Sequence, residues 1–513
     1  MRAIIEAEYD QRMLLPDSVE DWIGSEHPAR YIREIVRSID LQELGFECPD
    51  EVMGGKVYSS GLLLGLWLYG YWKRIRSSRK LESACCEEMG FIWLSGRAQP
   101  DHNTLWRFWA KNQAGIKNLF KRSVSMAMEL GEVDLALTAI DGTKLQAACS
   151  SSGLHSKEHN QKLLNRLEIQ IAELEKAIEQ NADQQQEPQP GVLSEALRDK
   201  KRLAQRVKEA LRHGQQNTQG YVHPQEPDAQ RMPINGRGNR FGYNAQLAVD
   251  AKSQIIVASE VVDCVNDRQQ LMPMLQAIEA TTGQAPTQTL ADRGYSSAAQ
   301  LQKAAEKGLD VYTPLIDQSR APNQAYHTSR FRYDAHSDTV QCPEGQVLKF
   351  YHRRNKGGVL IKIYRNTEAC RRCAVRTLCT QQRFGRTIDI YPWHQLMEAY
   401  RQKIMTVESQ ALLKRRSVIV EPVLAWLKEQ AQFRRFSFRG LSKVGVQWAL
   451  VCAVHNFKIL AKRAIKRLAP NPSPQKQLVH KCPNFLLRPI DSFCSSTLFG
   501  SLPASLLAQQ VCF

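Results

Sequence analysis

The stretch LALTAIDGTKL, residues 135–145, constrains the fold more than any other part of the chain. Its apolar positions alternate in the period-two manner of a half-buried strand, and the alternation ends at Asp141-Gly142. A carboxylate is therefore presented at a strand terminus while the backbone turns away, a good place for metal chemistry. Two later segments are built to join it. ADRGY at 291–295 carries Asp292 at the end of another apolar run, and VEPVLAWLK at 420–428 carries Glu421 on a helical pattern.

The 513 residues leave room for roughly two to four domains of ordinary size. Charged residues at 24% and hydrophobic residues at 43% exclude a disordered or fibrous chain. The longest apolar run, GLLLGLWLYGYW at 61–72, is too short to span a bilayer, and the first twenty residues lack the long apolar region of a signal peptide. No membrane partner is expected, and the expected location is cytoplasmic. The net charge of +17 calls for a polyanionic partner. It is concentrated: residues 401–468 hold 15 Lys and Arg against Glu408, Glu421 and Glu429. Thirteen cysteines, an odd number without a secretion signal, favour reduced thiols or a metal site over a disulfide framework.

Residues 1–131 carry apolar clusters at helical spacing and almost no strand alternation, so they read as an all-α domain. Within it, GRAQPDHNTLWRFWAKN has a Pro-Asp start signal before a short helix, giving a helix-turn-helix-like pattern with basic flanks that is suited to DNA, or else an ordinary bundle with a solvated basic face. After the Asp141 strand, residues 156–215 hold two amphipathic repeats separated by the polar linker NADQQQEPQPG, which predicts an antiparallel helical hairpin insertion. FGYNAQLAVD at 241–250 and QIIVASEVVD at 254–263 predict an antiparallel strand pair, followed by helix, strand (QTLAD), helix and strand (DVYTPL). This order predicts a mixed sheet with helices packed on it.

A second insertion, 317–399, holds Cys342 in a CPEG turn, the CRRC pair Cys370 and Cys373, and Cys379. Four thiolates suffice for a closed tetrahedral zinc site, although the five-residue gap before Cys379 is not a standard zinc-ribbon spacing; the alternatives are structural zinc and unligated thiols. In the segment that follows, Glu421 and Lys428 are seven residues apart and flank one helical face, with Pro422 placed where a helix starts or kinks. FRRFSFRG at 433–440 interleaves aromatic and basic residues in a pattern fit for phosphate contact and base stacking. Candidate backbone-phosphate contacts are Arg415, Arg416, Lys428, Arg434, Arg435, Arg439 and Lys443. Residues 469–513 read as an irregular C-terminal tail.

Three carboxylates on separate elements can hold two divalent cations, and oxygen ligands without histidine or thiol favour magnesium or manganese. Each acid alone has an ordinary alternative: Asp141 as a turn cap, Asp292 as a partner of Arg293, Glu421 as a surface ion-pair member. Their joint placement, two strand-end aspartates and a glutamate inside the most basic segment, favours the metal site.

SSRKLE, PDHNTLWRFW, IDGTKL, GYNAQLAVD, the pair Asn266-Asp267, LADRGY, the CPEG and CRRC motifs, and RRSVIVEP with the downstream FRG and HNFK together resemble an insertion-sequence transposase of the DDE superfamily. The resemblance covers nearly everything from the N-terminal helices to about Lys462. It implies a ribonuclease-H-like catalytic domain over 132–468, catalytic and metal-binding roles for Asp141, Asp292 and Glu421 with Mg2+ or Mn2+, and Lys428 as the lysine seven residues beyond the glutamate. It also implies double-stranded DNA partners, the element's terminal inverted repeats and the target, with a homodimer in the complex. Many relatives carry tyrosine and arginine seven and four residues before the glutamate; here Lys414 and Ser417 stand there, with Arg415 and Arg416 displaced. The rival readings are a metal-dependent nuclease without strand transfer and a domesticated, catalytically inactive DNA-binding protein.

Overall fold

The computed structural model describes residues 18–48, 57–150, 156–183, 190–215, 220–234, 236–315 and 324–468. The tail expected at 469–513 and the middle of the linker between the paired helices lie outside the described residues. The chain divides into two compact units. One comprises Met1–Asp134, Gly142–Val265 and Val423–Phe513; the other comprises Leu135–Asp141 and Asn266–Pro422. Among the described residues there are 15 α-helices and two sheets, a mixed α/β protein.

The first unit opens with helices α1 (Pro28–Arg37), α2 (Ser60–Trp72), α3 (Ser78–Glu87), α4 (Met89–Leu94), α5 (His102–Lys111) and α6 (Gln113–Glu129). Their starts follow local chemistry. Ser59 Oγ accepts the Leu62 N–H at α2, and the Asp101 carboxylate accepts the Thr104 N–H at 2.6 Å, so the Pro-Asp signal does begin α5. Helix α2 is apolar all round and is buried from Leu63 to Tyr71, as a central helix must be.

Strand β1 (Leu137–Gln146) follows, then α7 (Lys157–Asp183) and α8 (Pro190–Gln215). These two helices pack through Leu164, Leu167, Ala204 and Val207, with Lys201–Glu175 (2.6 Å) and Lys208–Glu168 (2.9 Å) ion pairs outside the seam. Strand β3 (Gly238–Asp250) pairs antiparallel with both β2 (Gln230–Ile234) and β4 (Ile256–Val262), with Asn244 opposite Val262, so the strand pair read at 241–263 is present. β3 is buried on both faces from Phe241 onward. The long helix Leu441–Leu468 covers it: Trp448 Nε1 donates to the Gln246 carbonyl at 2.9 Å, and Asn456 both accepts from the Ile256 N–H and donates to its carbonyl, each at 2.9 Å. That side chain satisfies a buried strand edge as a neighbouring strand would. Leu441–Ala464 is long and apolar enough to cross a membrane, but it is mostly buried here and serves as a core helix.

In the second unit, α9 (Leu271–Thr282) ends at Gly283, whose φ of 75° is the left-handed conformation that glycine adopts without strain. β5 (Gln288–Ala291), α10 (Ala298–Glu306) and β6 (Asp310–Tyr312) form a parallel strand-helix-strand unit. β1 pairs parallel with β5 from Leu137↔Gln288 to Ile140↔Ala291. The strand order of this sheet is β2-β3-β1-β5-β6, with β4 on β3.

The cysteine-bearing region forms a second, antiparallel sheet from β7 (Arg332–Asp334), β8 (Thr339–Gln341), β9 (Val347–Lys356), β10 (Val359–Arg365) and, beyond the short helices α11 (Thr367–Arg372) and α12 (Arg376–Cys379), β11 (Thr387–Ile390). Its small core is Phe331, Val340, Leu348, Tyr364, Ile388 and Ile390. Helices α13 (His394–Met405) and α14 (Val407–Ala425) follow. No helix starts at Pro422, contrary to one expectation from the sequence: α14 runs through it and widens into a π-turn at Trp426–Gln430. Proline removes one i→i−4 bond, and the wider turn comes directly after it. The seven-residue step from Glu421 to Lys428 thus crosses from α into π geometry, and a shared face no longer follows from the spacing.

Candidate active site

The parallel pairing of β1 with β5 ends at Ile140↔Ala291, so the next residue on each strand is an aspartate, Asp141 on one and Asp292 on the other. β1 itself runs on to Gln146, so Asp141 is not the strand terminus expected from the sequence: it stands within β1 where the parallel pairing with β5 stops, and only Asp292 follows the end of its strand. Asp292 is held firmly. Its Oδ1 accepts the Gly294 N–H at 2.7 Å, and its carbonyl accepts the Thr313 hydroxyl at 2.6 Å. Thr313 is fixed in turn by donating its N–H to the Tyr400 hydroxyl of α13 at 2.7 Å. Lys403, one turn further along α13, pairs with Asp310 of β6.

Asp141 is engaged by a cation. Arg416 Nη1 of α14 lies 2.7 Å from Asp141 Oδ2, with side chains only 21% and 16% exposed. Arg416, expected to contact DNA phosphate, is thus turned onto Asp141. Ile419 and Val420, one turn on, are buried and fix the phase of α14 that presents Arg416 this way.

A third carboxylate joins them. A methyl group at Gly294 would stand 2.9 Å from Asp292 Oδ1 and 3.3 Å from Asp267 Oδ2, so both carboxylates crowd the same face of that glycine. Tyr295 beside it is fully buried, and its hydroxyl is held protonated far above the usual tyrosine range by burial and then by Asp267, Asp141 and Asp292, with Arg416 opposing. In the sequence Asn266-Asp267 belongs to the family resemblance, but nothing there marks Asp267 as a member of the acid set. Its only local signal is an aspartate in a turn between a strand and a helix, which is ordinary.

Glu421 stands exposed on α14, five residues beyond Arg416. Among the described residues no three His, Cys, Asp or Glu side chains are grouped so as to hold a metal ion. The structure thus brings Asp141, Asp292, Asp267 and Arg416 to one place and does not close Asp141, Asp292 and Glu421 into a ready ligand set.

The remaining basic candidates fall into two kinds. Arg415 is exposed on α14, while Lys428 is half-buried in the π-turn, where its carbonyl accepts from Arg434 Nε at 3.2 Å. Arg434 also pairs with Glu429. Arg435 donates to the carbonyls of Ala147 (3.1 Å) and Cys149 (2.9 Å), Arg439 donates to that of Ala148 (3.1 Å), and Lys443 lies 5.8 Å from the Trp106 ring centroid. The aromatic residues of FRRFSFRG are not a base-stacking platform. Phe433 and Phe436 are 0% and 1% exposed, and Phe438 stacks on Trp109 at 3.9 Å. The segment runs beside the end of β1, with the Phe436 N–H donating to the Gln146 carbonyl, and this pairing turns its rings inward.

Cys342, Cys370, Cys373 and Cys379 all line one cavity of about 30 Å³ under the second sheet's core. Burial pushes the Cys379 thiol up; Arg386 opposes this, and the three other cysteines add to it.

Two family models match this chain. One, described as a transposase DDE domain, covers residues 341–461, including the four cysteines and Glu421. The other, described as transposase domain (DUF772), covers 17–111 in the N-terminal helices. No curated protein matches the chain. The two matches mark it as a transposase. More narrowly, they support an insertion-sequence transposase of the DDE class, a class that binds DNA and generally uses divalent metals. Asp141 and Asp292 lie outside both matched ranges.

Proposed function

We propose that this protein is a cytoplasmic DNA transposase that cleaves double-stranded DNA at the terminal inverted repeats of an insertion sequence and joins the freed ends to target DNA. Its catalytic domain spans 132–468 on a ribonuclease-H-like plan, interrupted by insertions at 156–215 and 317–399. The helices of 1–131 serve as the helix-turn-helix-like DNA-binding domain, and two copies act together on the DNA. The single observation that carries this reading is the parallel register that sets Asp141 and Asp292 side by side, with a cation already seated on Asp141.

The candidate donors are carboxylate oxygens, a set that suits Mg2+ or Mn2+. Asp141, Asp292 and Glu421 would hold the ions. When bound, divalent cations supply activation of the attacking oxygen and stabilisation of the leaving one. The chain's own groups do the rest. Gly294 N–H and Thr313 fix the Asp292 carboxylate and backbone, Arg416 orients Asp141, and the absence of a Cβ at Gly294 leaves room for both Asp292 and Asp267. In the first reaction a water oxygen bonds to phosphorus, the P–O3′ bond breaks, and the 3′ oxygen leaves as a hydroxyl. In the second, that hydroxyl attacks a target phosphodiester and displaces another 3′ oxygen. Neither step needs a covalent protein–DNA bond.

The test is cleavage and joining of element-end duplexes by the purified full chain. Asp141→Ala and Glu421→Gln should abolish cleavage and spare end binding; cleavage at the normal rate in either variant overturns the assignment. Cleavage without joined products would instead identify a nuclease, and binding without cleavage by the unaltered chain would identify an inactive DNA-binding protein.

The shared cavity of Cys342, Cys370, Cys373 and Cys379 supports a second metal role, structural zinc on soft thiolate donors. Among the described residues these thiols are not grouped as a ready ligand set, so zinc binding would draw them together.

A further inference from the structure

A cluster of cations lies in the first unit. Lys458 of the helix Leu441–Leu468 is half-buried, with its Nζ 4.9 Å from the ring centroid of Trp72, 5.1 Å from that of Trp426, and 3.4 Å from the Trp72 carbonyl, to which it donates. Lys462 follows one helical turn later. Lys73 and Arg74 stand where α2 ends, Arg74 with a φ of 71°. Lys73, Arg74 and Lys462 are exposed.

Burial and then Lys462, Arg74 and Lys73, all cations, push the Lys458 ammonium down to about 8. His455, whose ring lies 4.7 Å from that of Trp426, is pushed down to about 4, mainly by burial, with Lys458 and Lys462 adding to the effect. Capping the carboxyl end of α2 accounts for Lys458, since a lysine there meets a helix carbonyl and the negative end of the dipole. It does not account for gathering three more positive side chains around it. Like charges at this spacing oppose one another unless an anion lies among them.

We infer that Lys73, Arg74, Lys458 and Lys462 form a seat for the phosphodiester backbone of DNA. The two indole rings hold Lys458 in place, and the three exposed cations reach outward. The inference rests on the DNA-binding reading and adds to the candidate DNA contacts four residues that are neither among the acids nor among the arginines of 415–439. A phosphate carries the charge that the cluster lacks, and a continuous backbone can engage several of these side chains at once. Free inorganic phosphate offers the same chemistry without that continuity.

Two measurements on the full chain test it. The first is duplex binding across a salt series for the unaltered protein, Lys458→Gln, and the double variant Arg74→Gln/Lys462→Gln; the latter two residues are exposed and can be changed without touching the core. Each lost phosphate contact should flatten the slope of log affinity against log salt by about 0.9, and the double variant should bind any duplex several-fold more weakly. The second is lysine acetylation read by mass spectrometry, in which duplex should protect Lys73, Lys458 and Lys462. An unchanged slope in the double variant, with the unaltered protein still binding DNA, overturns the seat and leaves the DNA reading standing. Failure of the unaltered protein to bind any duplex overturns both. Protection by inorganic phosphate at matched phosphate concentration but not by duplex also overturns the seat as a DNA contact.

Discussion

Arg416 Nη1 sits 2.7 Å from Asp141 Oδ2, so this acid of β1 carries a protein-borne cation. That cation offsets the repulsion among Asp141, Asp292 and Asp267, which all act on the buried Tyr295. Arg416→Gln should therefore destabilise the metal-free protein, by on the order of 2 kcal/mol for a mostly buried pair. It should also make stability depend more on added Mg2+ than in the unaltered chain. Thermal unfolding with and without Mg2+ checks this; equal Mg2+ responses in the two proteins would show that the pair does not compete with a metal.

Asp267 shares the Gly294 face with Asp292. Asp267→Asn should lower cleavage at least tenfold, about 1.4 kcal/mol of barrier or more, while leaving affinity for element ends unchanged. Normal turnover would remove Asp267 from the site.

Gly294 has no room for a side chain, because a methyl there would press on the Asp292 carboxylate at 2.9 Å. Gly294→Ala should impair cleavage as severely as Asp292→Asn. Because its own backbone conformation is unstrained, global stability should fall by no more than about 1–3 kcal/mol. Circular-dichroism melts paired with cleavage assays separate the two effects.

Lys458 is held down to about 8 in the folded protein against an ordinary 10.5. Between those values the unfolded chain binds more protons than the folded one, so stability rises with pH across that window. Below pH 8 the ammonium is charged in both states and its cost is fully present. Lys458→Met should raise the melting temperature most at neutral pH, with the gain shrinking between about pH 8 and 10.5. A gain that does not vary with pH would assign the effect to packing instead.

The four cavity cysteines make a metal prediction. Protein purified without chelator should carry about one zinc per chain, released by thiol-blocking mercurials, and cobalt substitution should give thiolate-to-metal charge-transfer bands. Cys373→Ser should lose the metal while Cys86→Ser, an exposed cysteine outside the cavity, keeps it. Metal-free protein with all four thiols freely titratable would leave them as unligated thiols.

Several elements were readable from the sequence, because period and capping are local properties, whereas β2 and the sheet of β7–β11 were not. The alternation of 135–145, the Asp101 start of α5, the paired helices on either side of the polar linker and the β3–β4 pair are all decided within a few residues. The same locality made Asp141 and Asp292 conspicuous as acids that follow apolar strand runs, although β1 continues past Asp141 to Gln146. Their adjacency was not local: it depends on parallel pairing across 151 residues, set by which strands can bury both faces. Asp267 had no distinctive neighbours in sequence and entered the site only through the turn at Gly294. Arg416 and Lys458 are surface-type residues by composition; the phase of α14, fixed by Ile419 and Val420, turns one onto an acid, and Trp72 and Trp426 enclose the other. The aromatic residues of FRRFSFRG had a nucleic-acid-binding composition, yet pairing with the end of β1 sends Phe433 and Phe436 into the core. Sequence determined what each segment forms, because hydrogen bonding and periodicity act over a few residues. Tertiary structure alone decided which charges meet, because burial and long-range pairing set the direction of each side chain.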